Sequence, residues 1–172
     1  MTQENETIHE AEMCSMLMEY VQQGVLLKDL QGIPDDTMED IYAHAHHFYY
    51  QGRLDEAEHY FSLLCMYDLN NPDYFIGLGA VNQLQKKYQK ACDLYSLAYI
   101  FSKDDYSPVF YSGQCQLLMG DVIKALQCFE VVIEKCLNED LVKKARVYFE
   151  TIKKNRKVLS KEKKSTEAAK ES

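Results

Sequence analysis

The sequence predicts an all-α fold, a solenoid of three helical hairpins, because three features recur every 34 residues. In each copy a small residue comes first, an alanine follows 12 residues later, and an aromatic residue follows 4 residues after that. The copies contribute Ala45, Ala57 and Phe61, then Gly79, Ala91 and Tyr95, and then Gly113, Ala125 and Phe129. This spacing is the signature of tetratricopeptide repeats, whose stacked hairpins hold extended peptides on their inner face.

The three predicted copies occupy residues 38–71, 72–105 and 106–139. We expect their first helices at 41–51, 75–85 and 108–119 and their second helices at 54–66, 88–101 and 122–136. Proline suits the start of a helix, and the three prolines of the chain fall near the predicted starts of the first helices. Gly52 and Gly120 supply a residue free to adopt positive φ between the two helices, whereas the middle copy has Lys86 and Lys87 there.

Helical segments are predicted at both ends of the repeats. Residues 139–159 form an amphipathic helix that caps the third copy, so the repeats and their cap span 34–159, and 160–172 has the composition of a disordered charged tail. Residues 1–33 form an N-terminal helical region, with an amphipathic helix at 7–23. The apolar residues that follow this helix must pack on the first repeat or on a second copy of the chain, so the region serves capping or dimerisation.

Charge and motifs exclude several function classes. The net charge is −8, and residues 1–152 carry −13, which argues against direct nucleic-acid binding. The basic end of the chain reads as a solvated helix terminus, with a nucleic-acid or membrane tail as the alternative. No apolar run is long enough to span a membrane, and no catalytic motif assembles an acid, a base and a nucleophile. The sequence therefore predicts a non-enzyme without a cofactor.

Two sets of side chains in the sequence are candidates for metal or redox sites. His44, His46 and His47 lie close together, but no cysteine or carboxylate completes a ligand set, so we expect no metal and a partly buried or groove-lining role. The six cysteines form no CxxC pair. Free buried thiols in a reducing cytosol are the favoured interpretation, with a zinc site or disulfides as the alternative.

The inner face of the first helices is the predicted binding groove. Its lining consists of nine residues one turn either side of the packing position, and the alternative is that its tyrosines only pack between repeats. These residues are Tyr42, His46, Tyr49, Ile76, Ala80, Gln83, Phe110, Gln114 and Leu117. None is lysine or arginine, so the groove lacks the cations that grip a chain terminus, and an internal, partly apolar segment is the expected ligand.

Several stretches resemble a more specific family. IPDDTMEDIYAHA, GRLDEAEHYFSLLCMYD, NPDYFIGLGAV, YQKACDLYSLAYIF, DDYSPVFYSGQCQLLMG and ALQCFEVV, within about residues 24–150, resemble class II chaperones of bacterial type III secretion systems. The resemblance implies a chaperone of the bacterial cytoplasm that keeps hydrophobic translocators soluble and unassembled by binding segments near their N-termini. It implies a homodimer formed through the N-terminal region and, in some members, assistance to a transcriptional activator. It also implies that Tyr42 and Tyr49 line the peptide groove, whereas His44 and His46 stand where relatives often carry tyrosine.

Two other functions remain open at this point. One is a tetratricopeptide-repeat scaffold or adaptor that holds folded partners in a multiprotein complex. The other is a regulator that acts through a DNA-binding partner, which is compatible with the chaperone role. The kind of partner separates the first alternative from the chaperone, because a chaperone binds an extended segment of a membrane-active protein.

Overall fold

The computed structural model describes residues 24–102 and 104–168, and within these ranges the chain is all-helical. They contain eight helices and no strand, which confirms the predicted fold class. The chain divides into two compact units, one up to Asn70 and one from Asn71 onward. None of the described helices is both long and apolar enough to cross a bilayer.

The first unit contains one helical hairpin with a short helix before it. Its helices are α1 (Leu27–Leu30), α2 (Asp35–Tyr50) and α3 (Leu54–Tyr67). Pro34 precedes α2 and fixes an extended entry, and two aspartates in the first turn suit the positive end of the helix dipole. Gly52 takes φ +72° between α2 and α3, as the sequence predicts for this turn.

Ion pairs of Lys28 with Asp35 and Asp68, which we call the polar tether, join α1 to the hairpin. Lys28 Nζ lies 3.0 Å from Asp35 Oδ1 and 3.2 Å from Asp68 Oδ2. Hydrogen bonds to the Asp35 and Asp68 side chains raise the pKa of Lys28 above its usual range. Helix α1 contacts α3, so the apolar segment before the first repeat packs at least partly on that repeat. The predicted helix at 7–23 lies outside the described residues.

The second unit consists of five consecutive helices, each packed against the next. They are α4 (Pro72–Leu84), α5 (Tyr88–Phe101), α6 (Ser107–Leu118), α7 (Val122–Lys135) and α8 (Glu139–Ala168). An asparagine or aspartate side chain accepts a backbone N–H near the start of α4, α6 and α8, with distances of 3.1, 2.8 and 3.1 Å. Helix α8 therefore starts with the same local signal as the two first helices before it.

The repeated small and aromatic positions form the packed centre of each hairpin. Ala45, the three alanines of the second helices and Phe61, Tyr95 and Phe129 are all essentially inaccessible to solvent. A Cβ atom added to Gly79 would lie 2.6 Å from Tyr95 Cε1, and one added to Gly113 would lie 2.9 Å from Phe129 Cε1. Glycine is therefore required at these two positions because the aromatic ring occupies the space that a side chain would need.

The two largest departures from the expected helix boundaries are at the start of α2 and the end of α8. Helix α2 begins at Asp35, six residues before the predicted start, because Pro34 and the acidic first turn provide an earlier start signal. Helix α8 continues to Ala168, past the predicted end at residue 159 and into the segment predicted to be a disordered tail. Lysine, glutamate and alanine dominate residues 160–168 and favour helix even without an apolar face.

Candidate functional site

The three predicted groove residues of the first unit form an aromatic surface on α2. Tyr42, His46 and Tyr49 are all half-buried. The Tyr42 and His46 rings meet edge to face at 4.5 Å, and both stand edge-on to Phe61 of α3, at 6.0 and 5.3 Å. These contacts hold the rings in place while part of each remains accessible, which suits a preformed apolar surface with polar edges.

The residues predicted on α4 combine small apolar surface with an anchored amide. Ile76, Ala80 and Gln83 are half-buried. The Tyr95 hydroxyl of α5 donates a hydrogen bond to Gln83 Oε1 at 2.8 Å. This bond uses the carbonyl oxygen of the amide and orients its NH₂ group, which is the part that can donate to a peptide carbonyl.

On α6 the three predicted residues divide between core and surface. Phe110 is only 4% exposed and packs edge-on against Phe129 and Tyr148. Its replacement by alanine would therefore remove core packing as well as any contact with a bound peptide. Gln114 Nε2 donates to the Tyr148 hydroxyl of α8 at 3.0 Å. Gln114 and Leu117 are half-buried, so on α6 they present more surface than Phe110.

Sequence reasoning missed a set of exposed apolar residues beside the predicted groove positions. Tyr50, Leu84 and Leu118 are the last residues of α2, α4 and α6, and each lies 34 residues from the next. Their exposed fractions are 80%, 53% and 57%. We call these three residues the terminal apolar set. The repeat spacing itself is the signal that could have revealed them, because each lies one residue past a predicted groove position.

The remaining histidines of α2 already have hydrogen-bond partners. His44 Nδ1 donates to the carbonyl of Asp40 at 2.7 Å, and its ring stacks on Tyr60. Gln51 Nε2 donates to His47 Nε2 at 2.9 Å. Within residues 24–102 and 104–168, no group of three or more potential ligands converges to hold a metal ion.

The described cysteines are free thiols with unequal surroundings. Burial raises the pKa of Cys65 on α3 to about 12. Cys92 of α5 and Cys115 of α6 instead share a hydrogen bond, which lowers the pKa of Cys92 to about 7 and raises that of Cys115. Burial also raises the pKa of Cys128 on α7. One thiol of the second unit is therefore far more acidic than its neighbours.

Comparison with protein families matches the chain to the tetratricopeptide repeat at residues 38–71 and 72–105. These are the bounds that the sequence predicts for the first two copies. The chaperone protein SicA of Salmonella typhimurium is 54% identical over 146 residues, which are 85% of this chain and 88% of SicA.

Solved structures of secretion proteins share the fold. A type III secretion complex from Aeromonas hydrophila superimposes with a TM-score of 0.76 at 26% identity, over 83% of this chain and 98% of the matched chain. PcrH of Pseudomonas aeruginosa, in complex with the chaperone-binding region of PopD, gives 0.68 at 29% identity, over 73% and 97%. The translocator chaperone SycD of Yersinia enterocolitica, in an alternative dimer, gives 0.65 at 26% identity, over 72% and 97%.

Proposed function

The chain belongs to the SicA-like chaperones of type III secretion systems, and on that basis we propose that it binds an extended segment of a hydrophobic translocator along its first helices. Chaperones are a non-enzymatic class, which agrees with the prediction of a non-enzyme. Binding would keep the translocator soluble and unassembled before secretion. The site of action would be the bacterial cytoplasm.

The observation that carries this proposal is the surface chemistry of the first helices. Apart from the buried Phe110, the predicted groove positions carry half-buried side chains, and the terminal apolar set adds a more exposed residue at the C-terminal end of each first helix. Aromatic rings and aliphatic side chains supply the apolar contact area that an extended, partly apolar peptide would bury. The absence of lysine and arginine at the nine predicted positions favours an internal segment over a chain terminus.

Tyrosine and glutamine add polar recognition to this apolar surface. The NH₂ group of Gln83 is oriented by the Tyr95 hydrogen bond and can donate to a backbone carbonyl of the bound segment. The hydroxyls of Tyr42 and Tyr49 can donate or accept at the edge of the aromatic surface. Backbone hydrogen bonds do not depend on the cargo sequence, so apolar contacts would select the segment and polar contacts would hold it extended.

Homodimer formation through residues 1–33 is part of the same proposal. The apolar residues that precede the first repeat support it, because α1 leaves Leu30 43% exposed even though it contacts α3. Light scattering of the full-length chain and of a variant lacking residues 1–23 tests the proposal. Loss of the dimer in the shortened protein supports it, and a full-length monomer at micromolar concentration contradicts it.

Co-expression with a translocator of the same bacterium tests the chaperone function. The soluble fraction of the translocator is compared with the chain present, with the chain absent, and with an unrelated tetratricopeptide-repeat protein. We expect only this chain to raise the soluble fraction and to co-purify with an N-terminal fragment of the translocator. Binding that requires a folded partner would favour the adaptor function instead. A transcriptional activator recovered in the same complex would support the proposed regulatory role.

A further inference from the structure

Cysteines from consecutive helices converge in the second unit, between its two hairpins. Cys92 of α5 and Cys115 of α6 lie in one buried cluster with Ala91 and Tyr95. Cys92 is 4% exposed and Cys115 is fully buried. Helix α5 ends the second repeat and α6 begins the third, so the two thiols face each other across a boundary between repeats.

The contacts of Cys92 fix its sulfur against α6. Cys92 Sγ lies 3.8 Å from the carbonyl oxygen of Ser112, and Gln116 Nε2 donates to the sulfur from 3.6 Å. Ser112 and Gln116 are one helical turn apart on α6, and Cys115 lies between them in sequence. Cys115 belongs to the same buried cluster as Cys92. The Cys92 sulfur therefore packs against the face of α6 that carries residues 112, 115 and 116.

We propose that Cys92 and Cys115 form an oxidisable pair that a hydroperoxide converts into a disulfide between α5 and α6. The thiolate of Cys92 attacks one peroxide oxygen, the O–O bond breaks, and Cys92 becomes a sulfenic acid while hydroxide leaves. The thiol of Cys115 then displaces the hydroxyl group from sulfur and forms the S–S bond, and water leaves. The two thiols lose two electrons and two protons, and hydrogen peroxide is reduced to two molecules of water.

The surroundings assign different roles to the two sulfurs. The Gln116 amide donates toward the Cys92 sulfur from 3.6 Å, which favours the thiolate of Cys92 and makes it the attacking sulfur. Cys115 keeps its proton beside that thiolate and has no exposed surface, so it acts as the resolving thiol. Cys65 of the first unit is also buried, but burial raises its pKa to about 12, so it serves as a control.

The sequence makes the proposed disulfide easy to detect. Trypsin cleaves after Lys90, Lys103, Lys124 and Lys135, which puts Cys92 in peptide 91–103, Cys115 in peptide 104–124 and Cys128 in peptide 125–135. The full-length protein is treated with hydrogen peroxide, blocked with N-ethylmaleimide, digested without reductant and analysed by mass spectrometry. The expected product joins peptides 91–103 and 104–124, has lost two hydrogen atoms and disappears on reduction.

Variants separate the proposed pair from its alternatives. The linked product should persist in Cys65→Ser and Cys128→Ser and vanish in Cys92→Ser and Cys115→Ser, with circular dichroism used to check that each variant is folded. Cys115→Ala replaces Cys115→Ser if serine at this buried position unfolds the protein. Folded wild-type protein that yields no link between these peptides, only singly oxidised Cys92, or a link from Cys92 to peptide 125–135 would overturn the proposal.

Discussion

The first helices of the first and second repeats are similar in length and occupy the same place in their hairpins. They bury very different fractions of their residues. Helix α4 has seven buried residues in thirteen, including Tyr74, Phe75 and Asn82, whereas α2 has two in sixteen, Met38 and Ala45. Packing therefore determines most of the composition of α4. Helix α2 keeps histidines and tyrosines partly accessible, so its sequence is free to serve recognition.

The small residue at the hairpin crossing gives the largest expected effect. Gly79→Ala should destabilise the protein by about 2 kcal/mol, because the new methyl group would overlap the buried Tyr95 ring, which is anchored by its bond to Gln83. Urea denaturation measures this change. Ala45→Gly, at the same position of the first repeat, should cost about 0.5–1 kcal/mol through helix propensity. A Gly79→Ala protein as stable as wild type would contradict the close contact between Gly79 and the Tyr95 ring.

The first unit compensates for its sparser helix burial with a polar tether. Lys28→Met should cost about 1–2 kcal/mol, because it leaves the largely buried Asp68 carboxylate without its cation. The value is below that for a fully buried pair because 17% of the Lys28 side chain is exposed. Lys124→Met, which breaks an exposed pair with Asp121, is the control and should leave the urea midpoint nearly unchanged. Equal effects of the two changes would contradict the proposed role of the tether.

The two units also differ in the environment of a buried cysteine, and the pH dependence of thiol reactivity should reveal that difference. Cys92 has a pKa of about 7 and so becomes a thiolate as pH rises through neutrality, whereas Cys65, with a pKa of about 12, stays protonated. Alkylation by iodoacetamide at Cys92 should increase between pH 6 and pH 8, with little labelling of Cys65. Mass spectrometry of the two tryptic peptides measures both rates. Parallel labelling of both cysteines would contradict the assigned environments.

The repeat period explains why so much of the fold was predictable. A 34-residue spacing places the small, alanine and aromatic residues of each hairpin, and all of them are buried as that pattern predicts. Exposure within the first helices was less predictable, because it depends on neighbours distant in sequence. Phe110 occupies the position of Tyr42 two repeats later, yet Tyr148 of α8 packs against it and helps to bury it. The contact between Cys92 and Cys115 likewise depends on how α5 and α6 are rotated against each other, which spacing alone does not specify.

The central claim is that exposed apolar residues of the first helices, rather than those of the second helices, bind the cargo. Its most direct test uses two double variants of the second unit, Leu84→Ser with Leu118→Ser on α4 and α6, and Leu97→Ser with Ile100→Ser on α5. All four side chains are exposed, by 53%, 57%, 41% and 72%, so both variants should fold like wild type.

Isothermal titration with the translocator fragment that co-purifies gives the dissociation constant of each variant. We predict that the first-helix variant weakens binding roughly tenfold or more and that the second-helix variant changes it by less than about twofold. The opposite order, or equal losses in both variants, would contradict the assignment of the binding surface to the first helices.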